Sequence, residues 1–427
     1  MAPRARHGVR RWDLLASVGS AADEQGVPKM QHITEYDLTA PETFQLNDIH
    51  QLWRRVRRDA PVYWHPYKDT GFWVLSRYED VVRVYKDNQH FTSERGSVLD
   101  VLLAGGDPAG GRMLAVTDGR RHRAIRKVMS RFFTPRALSA VADSIRERTR
   151  QIVAEAAARN TVDFATEVAD RLPIEAICDL MAIPERDRPH LLRWNKAALS
   201  SDDPDTTALD AHAARAEILF YFTELIADRR ATPGDDVVSA LAAVEVDGEP
   251  LDDEDLALNC YSLILGGDES TRMSACCAAV LFAHHPEQWR RLRAGAPVET
   301  AVEEVLRWAT PSMHFARTAS VDVRVGAATV RKGDVVTLWN TSANFDEAHF
   351  TDPEVFDITR SPNDHVTFGQ GHHYCLGAVM AKLELRFLLE ALRDQVREIE
   401  LLSEPRQVYS NFLFGYSSVP SRLVPAT

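Results

Sequence analysis

One cysteine stands in a setting that could make it a metal ligand. Residues 368–377 hold three glycines, the aromatic Phe368 and the thiol of Cys375, and an apolar pattern of helical spacing follows directly. We name this segment the cysteine loop. A thiol just before a helix N-terminus faces free N–H groups and the helix dipole, which favour the thiolate. Because glycines let the backbone approach a large flat group, the pattern indicates an iron–thiolate site.

Two other interpretations of the cysteine loop remain open at this point. Free cysteines are commonly small buried hydrophobic residues without a chemical role. His372, His373 and Cys375 could also be zinc ligands, although the sequence has no second group of ligands at a matching spacing. The choice depends on features elsewhere in the chain.

A second candidate site lies in a long apolar stretch. The pattern runs from about 252 to 284 and ends before Pro286. A helix of about thirty residues is roughly 45 Å long, and apolar residues on all sides indicate that it is buried. At its middle, Gly266 and Gly267 together cost about 1–2 kcal/mol of helix stability, so we interpret them as making room for another group. An acid and two hydroxyl residues follow and could relay protons, namely Glu269, Ser270 and Thr271. The alternative is close helix packing with a locally bonded hydroxyl.

Charged residues at helical spacing occur at two further places. His122 and Arg126 lie four residues apart on one face of a basic helix, 120–131, and could bind an anion such as a propionate. Glu304 and Arg307 have the spacing of an ion pair, which by itself is a common surface feature. Two more arginines are uninformative alone, namely Arg317, which precedes a predicted strand, and Arg360, which closes a proline-containing meander.

Taken together and in this order, these features resemble the cytochrome P-450 superfamily of haem-thiolate monooxygenases. The resemblance spans about 45–420 and is closest to soluble bacterial members. The cysteine loop matches the family signature F-G-x-G-x-H-x-C-x-G at every defined position, through Phe368, Gly369, Gly371, His373, Cys375 and Gly377.

The resemblance implies a role for each of these residues. Cys375 would be the axial ligand of haem b. The haem would also contact Gly267, Phe368, Gly369 and Gly377. The propionates of the haem would be held by His122, Arg126, Arg317 and His373. Glu304 and Arg307 match the E-x-x-R element, which pairs with Arg360. Glu269 would be the acid of the oxygen-binding stretch, where this sequence has Ser270 at the usual threonine position and Thr271 one residue on.

The fold implied by the resemblance is mainly α-helical with a small β region, a triangular helical prism whose long central helix crosses the haem. We expect a disordered leader over residues 1–31 and a single domain over 32–427. The pattern itself predicts successive helices from 120 to 245, short strands near 71–76, 321–325 and 335–339, and a C-terminal β tail. The glycine-rich stretch 93–119 is expected to be an irregular loop that serves as a functional lid.

Composition narrows the class of protein. The chain of 427 residues is 45% hydrophobic and 26% charged, as is ordinary for a soluble globular protein. A net charge of -12 argues against nucleic-acid binding, and five scattered cysteines indicate a reducing compartment. The sequence has no apolar run of about 18 residues or more that would span a membrane. The expected location is the cytoplasm.

The reaction implied by the family is hydroxylation or epoxidation of a small apolar or amphipathic molecule with O2 and two electrons, in bacterial secondary metabolism. No flavin or nicotinamide fingerprint is present, so electrons would come from a ferredoxin and a ferredoxin reductase, docked on the arginines of helix 120–131. Family analogy gives the substrate pocket candidates Leu263, Met313, His314, Phe315, Phe412 and Leu413.

Three alternatives to this reaction stay open. A family member could carry out other oxidative chemistry, such as phenol coupling, nitration or peroxide-driven oxidation. The substrate could be tethered to an acyl or peptidyl carrier protein. A non-catalytic haem-binding protein would keep Cys375 but would not need Glu269 and Ser270, whose presence favours ordinary oxygen activation.

Overall fold

The computed structural model describes residues 36–46, 48–199 and 208–426, so the predicted leader over 1–31 lies outside the described residues. The α-helices are α1 (Pro41–Leu46), α2 (Ile49–Asp59), α3 (Tyr78–Lys86), α4 (Leu99–Leu103), α5 (Gly119–Met129), α6 (Pro135–Arg159), α7 (Phe164–Glu167), α8 (Pro173–Leu180), α9 (Arg188–Leu199), α10 (Ala208–Ala231), α11 (Val237–Ala242), α12 (Asp253–His284), α13 (Pro286–Arg293), α14 (Val298–Ala309), α15 (Asn340–Ala343) and α16 (Ala378–Gln395).

The β region is small and made of short strands. They are β1 (Val62–Tyr67), β2 (Thr70–Leu75), β3 (Phe91–Thr92), β4 (Thr161–Asp163), β5 (Glu245–Val246), β6 (Glu249–Pro250), β7 (His314–Ala319), β8 (Val323–Val325), β9 (Ala328–Val330), β10 (Val335–Trp339), β11 (Val396–Leu401), β12 (Arg406–Gln407), β13 (Tyr416–Ser418) and β14 (Pro420–Pro425). The larger sheets have the orders β1-β2-β10-β7-β3 and β11-β14-β4. The predicted class, mainly α with a small β region, is confirmed.

Helix α12 is the longest element of the described chain, and its ends have clear causes. The Asp252 carboxylate accepts a hydrogen bond from the N–H of Asp255, and acidic residues fill the first turn beside the positive end of the helix dipole. The helix ends at His284, and Pro286 then begins α13. The predicted helix from about 252 to 284 is confirmed.

Two hydrophobic cores meet at α12. Its first half, including Leu256 and Ile264, packs with residues of α8, α9, α10 and α11. Its second half, including Ala275 and Phe282, packs with residues of α6, α14 and α16. Because α12 contributes to both cores, the middle of this helix lies at the centre of the helical part of the molecule.

The conformation of the cysteine loop requires glycine at two positions. Gly369 and Gly371 have φ angles of +66° and +72°, in the left-handed region. A Cβ on Gly371 would lie 2.5 Å from the carbonyl oxygen of Tyr85, so a side chain there would collide with the backbone of α3. The N–H of Cys375 donates to the carbonyl of Phe368 at 2.9 Å and closes the loop before α16.

Three predictions of local structure were wrong in detail. The stretch 93–119 contains helix α4 and a 3₁₀ turn at Leu114–Val116, because apolar residues such as Leu99 and Leu114 are buried there. The basic helix is α5 and ends at Met129, followed by a separate 3₁₀ turn. Arg317 precedes β8, the strand predicted near 321–325, but it also lies within β7, which was not predicted. No described helix is both long and apolar enough to cross a membrane.

Candidate active site

The thiol of Cys375 lies three residues before the start of α16. Burial raises the pKa of this thiol, and the N–H of Gly377 and the charge of Arg126 oppose that rise. The sequence-based expectation of a lowered pKa was therefore wrong for the protein chain alone, because desolvation outweighs the helix terminus. Thiolate character at Cys375 needs a further positive charge, which a bound metal ion would supply.

Three basic side chains lie beside the cysteine loop, two from α5 and one from β7. His122 and Arg126 lie on one face of α5, as predicted, and the Arg126 guanidinium donates to the carbonyl oxygen of Tyr374 at 2.5 Å. Arg317 is 5% exposed and lies 5.5 Å from the ring centre of Tyr85. Burial lowers the pKa of both arginines, and it lowers the pKa of His122 to about 4.

These side chains fit an anionic cofactor edge. Among the described residues, Arg126 and Arg317 form no salt bridge, and Nε2 of His122 is buried without a hydrogen-bond partner. Buried cations normally pair with a carboxylate or phosphate, because desolvation of a lone charge is costly. Two carboxylates of a haem would therefore match this donor set, and the glycines of the cysteine loop would allow its ring to approach.

His373 has a partner that the sequence reasoning missed. Its Nε2 lies 2.8 Å from Oδ1 of Asp118, and its ring centre lies 4.5 Å from that of His122. Asp118 immediately precedes α5, and the sequence offers only one signal for it, an acidic residue before a basic helix. If His373 binds a propionate, it must do so through Nδ1.

The middle of α12 opens on one face, as predicted. Gly266 is exposed, and a Cβ built on it would meet no atom within 4 Å. A Cβ on Gly267 would contact Ile177 of α8 at 3.5 Å, so this second glycine also serves helix packing. Ser270 lies one turn later on the Gly266 face and donates to the Gly266 carbonyl at 3.3 Å. Gly266 therefore leaves room for another group, and Gly267 allows close helix packing, so both interpretations of the glycine pair hold.

Glu269 and Thr271 are placed differently from Ser270. The Glu269 carboxylate is buried and accepts from the guanidinium of Arg272 at 2.8 Å, while Arg272 also lies 3.6 Å from Asp170. Thr271 is 4% exposed and lies on another face of the helix from Gly266. Thus only Ser270 of the three relay candidates lies on the open face. The i, i+3 spacing of Glu269 and Arg272 was a signal that sequence reasoning did not use.

Two further buried acids lie close to this region. Asp268 is 1% exposed and accepts from Nδ2 of Asn195 at 2.7 Å. Burial, followed by the charge of Glu269, raises the pKa of Asp268 to about 7. Glu384 of α16 is 3% exposed, and burial raises its pKa well above the ordinary range, with Asp268 adding to the rise. Sequence reasoning missed both acids because burial of a single carboxyl has no local pattern.

The predicted pair of Glu304 and Arg307 is present. Two guanidinium nitrogens of Arg307 donate to the two carboxylate oxygens of Glu304 at 2.9 and 2.8 Å, and both side chains are fully buried. Arg307 also donates to the carbonyls of Asn344 and Pro353. Arg360 lies 3.2 Å from Glu304, so the three residues predicted to form a structural unit do meet.

The substrate pocket candidates Met313–Phe315, at the start of β7, lie beside Phe412 and Leu413 of the C-terminal segment. Leu263 lies separately on α12. The N–H of Met313 donates to the carbonyl of Phe412 at 2.8 Å, and a β-bridge joins Ser312 to Leu413. The ring of Phe315 lies 5.6 Å from that of Phe412. Met313 also lines an apolar cavity of about 60 Å³ that contains none of the cofactor candidates.

His314 lies inside this cluster as a fully buried imidazole. Its ring centre is 4.4 Å from that of Trp339, and neither ring nitrogen has a hydrogen-bond partner among the described residues. Burial lowers its pKa to about 3, so it is neutral at physiological pH. A histidine with a purely structural role normally has hydrogen bonds to its ring nitrogens, and His314 makes none with described residues.

A basic depression of about 350 Å³ lies between α5 and the cysteine loop, with walls that include Arg123, Lys127 and His372. Arg123 and Lys127 are exposed. Arg121 pairs with Asp255 of α12, and Arg120 lies 3.7 Å from Asp247, so these two arginines are engaged elsewhere. Of the basic helix, Arg123 and Lys127 therefore best fit the predicted docking role.

Comparison with protein-family models gives one match, to the cytochrome P450 model, over residues 298–394. This range holds Glu304, Arg307, Arg360 and the cysteine loop. Among curated proteins, cytochrome P450 NovI of Streptomyces niveus is 41% identical over 394 residues, which cover 92% of this chain and 97% of that protein. Steroid C26-monooxygenase of Rhodococcus jostii is 35% identical over 393 residues, covering 89% and 83%.

Solved structures give the same result. A P450 called OxyD, involved in the biosynthesis of vancomycin-type antibiotics, superposes with a TM-score of 0.82 at 33% identity, covering 92% of this chain and 100% of that one. A cytochrome P450 of Mycobacterium marinum in complex with pseudoionone gives a TM-score of 0.83 at 33% identity, covering 90% and 98%.

Proposed function

Because this chain belongs to the cytochrome P450 family, we propose that it is a haem-thiolate monooxygenase that hydroxylates or epoxidises a small apolar or amphipathic molecule. One observation carries the proposal: the glycine loop that holds Cys375 lies beside the half-buried Arg126 and the buried Arg317, neither of which forms a salt bridge with a described residue. That combination matches a flat cofactor with one thiolate ligand and two carboxylates. A non-catalytic haem protein would not need the open face at Gly266 and Ser270.

The cofactor would be held by residues of three elements. Cys375 would ligate the iron, while His122 and Arg126 from α5 and Arg317 from β7 would bind the propionates. When bound, the haem supplies oxygen activation, and thiolate ligation favours O–O cleavage. The buried unit of Glu304, Arg307 and Arg360 joins α14 to the segment that precedes the cysteine loop.

The residues of α12 would manage protons and water. Ser270 places a hydroxyl on the open face, where Oγ can accept a hydrogen bond from one group and donate its own proton to another. Arg272 orients the Glu269 carboxylate and would hold this acid in one position. Serine keeps the hydroxyl of the usual threonine but lacks the methyl group that restricts χ1, so proton control would be looser.

Electrons would come from a separate ferredoxin and its reductase. The basic depression with Arg123 and Lys127 is a complementary surface for an acidic protein, and it adjoins the cysteine loop. Electron transfer from that side would reach the haem through the segment that carries its iron ligand.

Relatives support the substrate class. OxyD takes part in the biosynthesis of antibiotics, and other relatives are steroid and methyl-branched lipid hydroxylases. We infer a substrate with a large apolar part and a setting in bacterial secondary metabolism. Met313–Phe315 and Phe412–Leu413 would contact it, with His314 as the candidate polar group if side-chain motion exposes its ring.

A substrate tethered to a carrier protein is a second candidate, favoured by one surface feature. Leu209 and Phe220 of α10 are 77% and 62% exposed. They are eleven residues apart, about three helical turns, and therefore lie on the same face of the helix. A carrier protein that docks along this face of α10 would cover both side chains.

Titration of the purified protein with a compound library, free and carrier-bound, tests the proposed function. A substrate that displaces water from the haem should shift the ferric iron from low to high spin. We expect apolar and amphipathic compounds to produce this shift and the same compounds to increase electron consumption. Electron consumption that no compound changes would contradict the monooxygenase assignment and favour a non-catalytic haem protein.

A further inference from the structure

Both oxygens of the Asp118 carboxylate are engaged, and they join segments far apart in the sequence. Oδ1 lies 2.8 Å from Nε2 of His373 in the cysteine loop. Oδ2 accepts from the hydroxyl of Thr92 at 2.6 Å and from the N–H of Ser93 at 2.7 Å. Asp118 thus connects the end of β3, the cysteine loop and the start of α5.

These contacts lie at the two ends of one stretch of chain. Ser93 begins the stretch 93–119, Thr92 directly precedes it, and Asp118 is its last but one residue, so the carboxylate closes that stretch at its base. The same side chain then reaches the wall of the cofactor site through His373. The stretch 93–119, the expected lid, is therefore fastened directly to the loop that carries Cys375.

The surroundings keep this carboxylate ionised. Burial alone would raise the pKa of Asp118, but hydrogen bonds from His373, Thr92 and Ser93 outweigh it and hold the pKa well below its usual range. Asp118 also interacts with the buried Arg317, whose charge no salt bridge among the described residues balances. Hydrogen bonds to a charged group in this setting are stronger than neutral ones.

We propose that Asp118 is a positioning residue that fixes the His373 ring and locks the base of the stretch 93–119 to the cofactor site. Because the Nε2–H of His373 donates to Asp118, Nδ1 is left as the atom that faces the cofactor edge. A movement of the stretch 93–119 that breaks the contact would also free His373. This inference rests on the proposed haem site and adds a residue that the family signature in the cysteine loop does not contain.

The test compares holoenzyme variants. Asp118→Asn keeps the shape of the side chain and removes its charge. Asp107→Asn is the matched control, because Asp107 lies in the same stretch and its carboxylate accepts from the N–H of Ala109 within its own turn. Thr92→Val removes the hydroxyl that donates to Asp118 and that accepts from the N–H of Glu94 at 3.1 Å, and it leaves the carboxylate of Asp118 in place. Three quantities are measured: haem loss to apomyoglobin, the ferric–ferrous midpoint potential, and amide exchange at Ser93.

We expect Asp118→Asn to speed haem loss by about tenfold, since hydrogen bonds to charged groups commonly contribute that factor. The midpoint potential should rise, because the negative charge that contacts His373 at the proposed cofactor site is lost, and exchange at Ser93 should accelerate. Thr92→Val should accelerate exchange while it leaves the potential unchanged. If Asp118 had only a structural role, the midpoint potential and the amide exchange at Ser93 would change together in Asp118→Asn and in Thr92→Val.

The inference would be overturned if Asp118→Asn and Asp107→Asn gave equal haem loss, midpoint potential and amide exchange at Ser93, provided the wild-type protein binds haem through a thiolate. A wild-type protein without a thiolate-ligated haem would instead overturn the proposed function itself. If Asp118→Asn does not fold, the wild-type carbon monoxide form labelled with ¹⁵N-histidine decides the matter. A proton on Nε2 of His373 supports the inference, and an unprotonated Nε2 contradicts it.

Discussion

Glu269 and Arg272 form an ion pair at 2.8 Å, one helical turn apart in α12, with side chains that are 4% and 1% exposed. The acid that the family resemblance assigns to proton transfer is thus held by a cation from its own helix. Asp170 lies 3.6 Å from the same guanidinium. Arg272 therefore compensates more than one buried carboxylate beside the open face of α12.

Replacement of Arg272 by Met should destabilise the protein strongly. The change leaves the buried Glu269 carboxylate without this cation, whereas Asp170 keeps its salt bridge to Lys196. Breaking a buried pair in this way typically costs about 3–5 kcal/mol. Urea unfolding of the holoenzyme measures the loss. Arg171→Met is the control, because Arg171 and Glu155 form a pair in which each side chain is 44% exposed. Equal midpoints for the two variants would show that the Arg272 pair does not stabilise the fold.

Asp268 should make the stability depend on pH. Its pKa of about 7 in the folded protein lies above that of an unfolded aspartate, so the folded state binds more protons between about pH 4 and 7. Stability should therefore fall as the pH rises through this range, by roughly 4 kcal/mol in total. The groups that act on Asp268 are Glu269, Arg272, Asp170, Asn195 and Glu384.

The variant Asp268→Asn isolates this effect. Buried histidines such as His314 have lowered pKa values and act in the opposite direction, since they stabilise the fold as the pH rises. They are common to both proteins and cancel in the comparison. We expect urea unfolding at several pH values to give a less negative slope for Asp268→Asn than for the wild type. Parallel curves would mean that folding does not raise the pKa of Asp268, which would contradict the prediction.

Ser270 should control the product yield per electron consumed. Ser270→Ala removes the hydroxyl on the open face, and we expect the product yield per electron to fall by roughly two- to tenfold. Ser270→Thr should raise the yield, because the added methyl group restricts χ1. Ser274→Ala is the control, since Ser274 lies one turn later and donates to the Ser270 carbonyl. An unchanged yield in Ser270→Ala would exclude Ser270 from proton control.

Reduction by a ferredoxin should slow steeply as salt is added, because exposed charges more than about 8–10 Å apart are screened at physiological ionic strength. Lys127→Glu and Arg123→Glu should each slow reduction by roughly tenfold at low salt. Arg397→Glu is the control, at an exposed residue on β11 beyond the far end of α16, about 27 Å along the helix axis from its start. A flat salt response, or equal effects of all three variants, would remove the docking proposal.

The sequence predicts well those features that are local in the chain. Helix α12 was visible from its length, its apolar residues and the proline that follows it. The Glu304 and Arg307 pair was visible from its spacing, and the cysteine loop from its glycines. Each of these depends on residues within one or two helical turns, so the sequence pattern contains the physical cause.

Features that depend on distant residues were not predictable. Asp118 meets His373 across 255 residues of chain, and Asn195 meets Asp268 across 73. The lowered thiol pKa expected at Cys375 was wrong because burial, which the sequence does not show, outweighs the helix terminus. The order of strands in the main sheet likewise joins β2 to β10, which are far apart in sequence.

The central claim is that Cys375 ligates a haem iron as a thiolate, and one measurement tests it most directly. The purified protein is reduced with dithionite, exposed to carbon monoxide and compared with Cys375→Ser by absorption spectroscopy. The account predicts a strongly red-shifted, thiolate-type Soret band in the wild type and its loss in Cys375→Ser. A wild-type protein that shows no such band, or a Cys375→Ser variant that retains it, would contradict the account.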